Sequence, residues 1–196
     1  MRAASAREAI RTVAMELFAE KGFAATTTRE ICQHAGITKP VLYYHFRSKE
    51  QLYQELILDA FNEYRKGLVR ASRGGKSAQG KLTEVVAAIF AFTRRNPALV
   101  RLIFRIMFAS EKGSPAIDYV ELGDAECRVL KGIIDEGIRR GEMKGRPVEI
   151  AEGLMAMHTL YTMSFLLTGR PDLGWPLARR VVDLLVRGCG KDSTDR

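Results

Sequence analysis

At 196 residues, 46% of them hydrophobic and 28% charged, the chain can build one large core or two small ones, which excludes a disordered polyelectrolyte. No apolar run reaches the roughly 18 residues a membrane span needs, and Met1 to Ser5 lead straight into charged residues with no secretion-signal core, so a cytoplasmic protein without membrane contact is expected. The net charge of +8 favours a polyanionic partner, and three scattered cysteines (Cys32, Cys127, Cys189) suit neither a disulfide framework nor a metal site.

In chain order, every segment reads as helix. Ile10, Val13, Ala14, Leu17 and Phe18 place one apolar stripe on a first helix that Gly22 stops. A second opens on Thr27-Thr28-Arg29-Glu30, a capping box, and ends at Gly36. The third starts with Thr38 as N-cap and Pro40 in its first turn, where a missing N–H does no harm. Ser48 and Gln51 form a second capping box for a fourth helix, about 49–66, striped by Leu52, Tyr53, Leu56, Ile57, Ala60, Phe61 and Tyr64. Residues of about 71–80, centred on Gly74-Gly75, read as a loop and a hinge between domains; the five Lys/Arg without an acid over 66–81 read as a solvated loop. Helices are then expected at about 81–95, from Pro97 to about 109, at 116–139, from Pro147 to about 168 and at 174–188, with a loose polar tail from Gly190.

The stretch from Thr27 to Phe46 carries the chemistry. Two helices of about eight residues joined by so short a turn must cross steeply, which requires a small residue four positions before the turn glycine. Cys32 stands there, and Gly36 supplies the positive φ. With Ile31, Ile37, Leu42 and Phe46 turned inward, Lys39, Pro40, Val41, Tyr43, Tyr44 and His45 face outward and can enter a major groove. Lys39 can donate to guanine, while Pro40 and Val41 can pack on thymine methyls. Tyr43, Tyr44, His45 and Lys49 suit phosphates, as do Thr27 and Thr28 at a helix N-terminus, and Arg29 can reach a base or the backbone. Thr38 is counted with this DNA-facing set. His45 has no acid or thiol at ligand spacing, so neither metal nor cofactor is expected.

Thr27-Thr28-Arg29-Glu30-Ile31, Ala35-Gly36-Ile37-Thr38-Lys39 and Leu42-Tyr43-Tyr44-His45-Phe46, followed by Ser48-Lys49-Glu50, resemble the DNA-binding signature of TetR-family regulators over about residues 7–60. The resemblance implies phosphate contacts by Tyr43 and Lys49 and base contacts by Lys39, Pro40 and Val41. Cys32 replaces the usual alanine, and Pro40-Val41 depart from the common residues, so no operator sequence carries over. It further implies an all-α fold: a three-helix helix-turn-helix domain (1–50), a linking helix of about 49–66, and a helical-bundle ligand-binding and dimerisation domain (51–190). On this reading the last two helices make a homodimer that binds a palindromic double-stranded operator.

The body agrees in its residues. The segment 150–168 is apolar on more than one face, as a helix between a pocket and a partner subunit would be. Phe90, Phe104, Met107, Phe108, Met155, His158 and Tyr161 are the candidate pocket lining, with His158 placed either to orient a ligand or to hydrogen-bond a neighbour. The function expected is a repressor released from its operator by a small hydrophobic effector. The alternatives are a ligand-independent regulator and a thiol sensor working through Cys127 or Cys189. An enzyme is not expected, because no nucleophile constellation, phosphate-cradling loop or metal-spaced set is present in the sequence.

Overall fold

A computed structural model of the chain describes residues 3–108, 113–115, 117 and 119–188. Among them are nine α-helices and no strand: α1 (Ala3–Lys21), α2 (Thr28–Ala35), α3 (Lys39–His45), α4 (Lys49–Ala71), α5 (Ala78–Arg95), α6 (Pro97–Phe108), α7 (Tyr119–Arg139), α8 (Pro147–Thr168) and α9 (Trp175–Gly188). Cys189 and the tail expected from Gly190 lie outside the described residues, as do 116 and 118 at the expected start of α7. The described residues form two compact units: those up to Asn62 with those of Asn96–Tyr119, and those of Glu63–Arg95 with those from Val120 onward.

In the first unit, Ile10, Ala14, Leu17 and Phe18 of α1 are buried with Ile31, Leu42, Phe46, Leu52, Tyr53 and Ile57. Phe18, Phe23 and Tyr53 meet as an aromatic cluster, with Tyr53 edge-on to both phenylalanines. Arg7 and Arg11 both bond Glu55 of α4, and Arg11 also reaches Asp59 at 3.0 Å, tying α1 to α4 by charge. Helix α6 belongs to this unit as well. It packs along α1, and the Arg105 guanidinium donates to the Glu20 and Lys21 carbonyls at 3.2 and 3.1 Å, which α1 leaves without intrahelical partners.

The second unit is a helical body around one core. Leu82, Val85, Val86, Ile89 and Phe90 of α5 meet Leu130, Ile133 and Ile134 of α7, Ile150, Ala151 and Leu154 of α8, and Leu177, Ala178, Val181 and Val182 of α9. At Gly137 of α7 an added Cβ would stand 2.5 Å from the Ala78 Cβ and 3.0 Å from the Met143 sulfur, so this crossing admits only glycine.

Two sequence expectations change. Helix α4 runs on to Ala71 rather than stopping near 66, so Lys66 and Arg70 lie on a helix and not in a solvated loop. The reason is Leu68, only 2% exposed in the second core, which anchors that last turn; Gly67 is not among the glycines of positive φ and does not end the helix. The remaining loop is short because Ser77 starts α5 early, its hydroxyl accepting from Gly80 N–H. That loop lies inside the second unit rather than between the two, so it is not the hinge expected at 71–80.

Candidate functional site

The steep α2–α3 crossing is closed as its residues require. Thr27 accepts from Glu30 N–H at 3.2 Å, and the Glu30 carboxylate accepts from Thr27 N–H at 3.0 Å, completing the capping box. Gly36, at φ 63°, ends α2. Its N–H donates to the Gln33 carbonyl, and Ile37 N–H reaches back to Cys32 at 3.0 Å. Cys32 is buried at the crossing, and burial pushes its thiol up from its ordinary value, with Lys39 pulling weakly the other way.

The outward face of α3 is open. Leu42 and Phe46 are fully buried, while Lys39 and Pro40 are exposed, Tyr43 and Tyr44 are 49% and 82% exposed, and Val41 and His45 are half-buried. Thr38 is the N-cap residue but makes no side-chain cap bond, so its exposed hydroxyl serves no structural bond there. Arg29 is exposed on α2 and Thr28 half-buried at its first turn.

Three expected roles are altered by the geometry. Lys49 does not simply point outward: its ammonium donates to the Phe23 and Thr26 carbonyls, both at 2.8 Å, and lies 4.1 Å over the Phe23 ring. It braces the turn between α1 and α2, and only one of its three N–H donors remains for a phosphate. The Thr27 hydroxyl is likewise occupied, donating to Glu30 as well as accepting from it. Gln51 makes only half of a box with Ser48: the Ser48 hydroxyl accepts from Gln51 N–H at 3.1 Å, while Gln51 Oε1 accepts from Arg47 N–H at 2.9 Å, one residue further out than the Ser48 N–H.

The seven pocket candidates divide between the units. Phe90 is fully buried, and Met155 and Tyr161 pack against the second core. Phe104, Met107 and Phe108 instead stand on α6 in the first unit. Met107 and Phe108 are exposed because the opposite side of α6 faces α1, so the seven do not form one lining within either unit. His158 does hydrogen-bond a neighbour. Its Nε2 meets the Glu126 carboxylate at 2.5 Å, and the other Glu126 oxygen accepts from the Tyr64 hydroxyl at 2.5 Å.

This chain links α4, α7 and α8 inside the second unit. Burial alone would raise the Glu126 carboxyl, but the adjacent His158 and the Tyr64 hydroxyl outweigh it and hold the group below its ordinary value. Tyr64 moves well above the ordinary phenol range, through burial first and the Glu126 charge second. His158 Nδ1 and Thr162 Oγ1, one turn apart on α8, are buried with no partner among the described residues. The sequence singled out His158 but not Glu126, and it placed Tyr64 only in the apolar stripe of α4; separations of 32 and 62 residues leave no local pattern to detect.

The family model described as bacterial regulatory proteins, tetR family, matches residues 10–56. The HTH-type transcriptional repressor KstR2 of Mycolicibacterium smegmatis is 33% identical over 146 residues, spanning 72% of this chain and 69% of that protein. The HTH-type regulator YdgC of Bacillus subtilis is 29% identical over 93% of this chain and 91% of its own. Among solved structures, the regulator PfmR of Thermus thermophilus superposes with a TM-score of 0.75 at 24% identity, over 93% of this chain and 99% of its own. FadR of Bacillus subtilis, solved with stearoyl-CoA, gives 0.70 at 21%, over 92% and 98%.

Proposed function

The chain belongs to the TetR family of bacterial regulatory proteins, and from that premise we propose that this DNA-binding transcriptional regulator is a repressor that a small hydrophobic ligand releases from a palindromic operator. It is a regulator and not an enzyme. The observation that carries the proposal is the face of α3, where Lys39, Pro40, Tyr43 and Tyr44 stand exposed above the buried Leu42 and Phe46.

On this reading residues 1–50 hold the operator and 51–190 bind the ligand and a second copy. Lys39, Pro40 and Val41 read bases, with Arg29 beside them. Tyr43, Tyr44, His45, Thr28 and Thr38 hold phosphates, joined by the one remaining N–H donor of Lys49 and by Thr27 once its hydroxyl turns from Glu30 to a phosphate. The dimer forms through α8 and α9, which expose Leu160, Leu167, Trp175 and Leu184. Two reading helices about 34–36 Å apart enter successive major grooves. A ligand that prefers a dimer of another spacing shifts the population off the operator by its differential affinity alone.

Phe90, Met155, His158 and Tyr161 are the proposed lining for that ligand in the second unit, while Phe104, Met107 and Phe108 on α6 belong to the first unit and are left out of it. A hydrophobic ligand is in keeping with the stearoyl-CoA bound to FadR, a protein of the same fold. The test is operator selection with the full chain from randomised duplexes, followed by anisotropy titrations. An inverted repeat whose preference relaxes at one base position in Lys39→Ala supports the reading. A Lys39→Ala variant that weakens all sequences alike would overturn the placement of α3 in the groove.

A further inference from the structure

Every described cation of the first unit's α1–α4 brace has a counter-charge, but the second half of α4 is different. Glu63, Tyr64, Lys66, Gly67, Leu68 and Arg70 of α4, with Ala88, Phe92 and Arg95 of α5, enclose a cleft of about 200 Å³ within the second unit. We propose that this cleft binds a small carboxylate carrying an apolar portion, at a site separate from the effector lining proposed above.

Three features fit that ligand. Lys66, Arg70 and Arg95 surround the cleft with no counter-charge of their own among the described residues, and only Glu63 opposes them. Three cations on the rim of one cleft give it a local positive potential that attracts an anion. Second, the inner wall is aromatic. Tyr64 and Phe92 pack edge to face with centroids 5.2 Å apart, and the Tyr64 hydroxyl is committed to Glu126, so the cleft meets its ring rather than a free hydroxyl. Third, Gly67 sits in mid-helix, where glycine weakens a helix, yet a Cβ there would touch nothing within 4 Å. Neither a positive φ nor a close crossing requires glycine at that position; what its missing side chain leaves open is the cleft. The volume is below the roughly 300–1,000 Å³ of drug-sized pockets, which selects a ligand of about one ring.

The proposal is independent of the release mechanism, because binding is read directly. The probes are benzoate, acetate and inorganic phosphate, titrated calorimetrically into the full chain without DNA. Benzoate is expected to bind at least about tenfold more tightly than acetate or phosphate, since only it uses both cations and rings. Arg70→Gln and Arg95→Gln each weaken it about tenfold, the loss of one charge-assisted hydrogen bond. Gly67→Leu fills the space without changing charge and abolishes binding. Lys76→Gln, the same charge change on the exposed loop outside the cleft, leaves benzoate affinity unaltered. Helical circular dichroism confirms that each variant is folded. Equal affinity for the three anions, benzoate binding retained in folded Gly67→Leu, or a loss in Lys76→Gln matching that in Arg70→Gln would each overturn the assignment.

Discussion

Glu30 serves two neighbours at once. Its carboxylate accepts from Thr27 and pairs with Lys21 at 2.8 Å; that pairing first, and the Thr27 bonds second, hold it down to about 2. A carboxyl whose folded value lies below its unfolded one, near the ordinary 4.5, stabilises the fold above pH 4.5. That contribution fades as pH falls from 4.5 towards 2. Glu30→Gln is therefore expected to lower stability near neutrality and to flatten the acid limb of the unfolding curve, which urea titrations between pH 2 and 7 measure. A second prediction concerns the buried chain on the second unit. His158→Ala leaves Glu126 charged and buried with one partner, a change expected to destabilise by about 3–5 kcal/mol. A loss below about 1 kcal/mol by thermal or urea unfolding would mean that the pair is not held as described.

At the scale of single elements, α3 depends on packing more than on caps. Thr38 makes no cap bond, so Thr38→Ala should change stability by less than about 0.5 kcal/mol, within the range of ordinary surface substitutions. Any fall in operator affinity in that variant then reports a lost contact to DNA. Lys49→Ala should behave differently, lowering both stability and affinity, because it also releases the Phe23 and Thr26 carbonyls. Helix α4 gives a further case: Gly67→Ala should stabilise the chain by about 0.5–1 kcal/mol, since nothing lies near the added methyl.

The elements were largely legible in the sequence because their ends are written locally. The Thr27–Glu30 box, Gly36 and Pro147 each act within one turn, and the helices begin and end where they predict. The end of α4 was not legible, since Leu68 holds it through contacts with residues far away in sequence. The outward face of α3 was legible for the same reason as the caps: Leu42 and Phe46 fix its orientation by helical spacing alone. The engagement of Lys49 and the Glu126 chain depend on carbonyls and side chains that only the folded chain brings near, so residue type could not reveal them.

For the whole molecule, charge and symmetry set the expected behaviour. A chain of net charge +8 that neutralises several phosphates releases as many counter-ions, so operator affinity should fall steeply and log-linearly with salt. The exposed apolar residues Leu160 and Leu167 on α8 suit a second copy. The double variant Leu160→Glu, Leu167→Glu should sediment as a monomer and lose about 100-fold or more in operator affinity, because the two half-sites are no longer bound jointly. A variant that remains dimeric would move the interface elsewhere.

Arg105 serves carbonyls 84 and 85 residues before it in the chain, so the helix-turn-helix is not a cassette that can be lifted out by cutting after the fourth helix begins. A chimera carrying only the first fifty residues would leave the end of α1 bare and its flank uncovered. Grafts meant to transfer operator preference to another body should carry Pro97–Phe108 with them, and those lacking it should express poorly even when every DNA-facing side chain is intact.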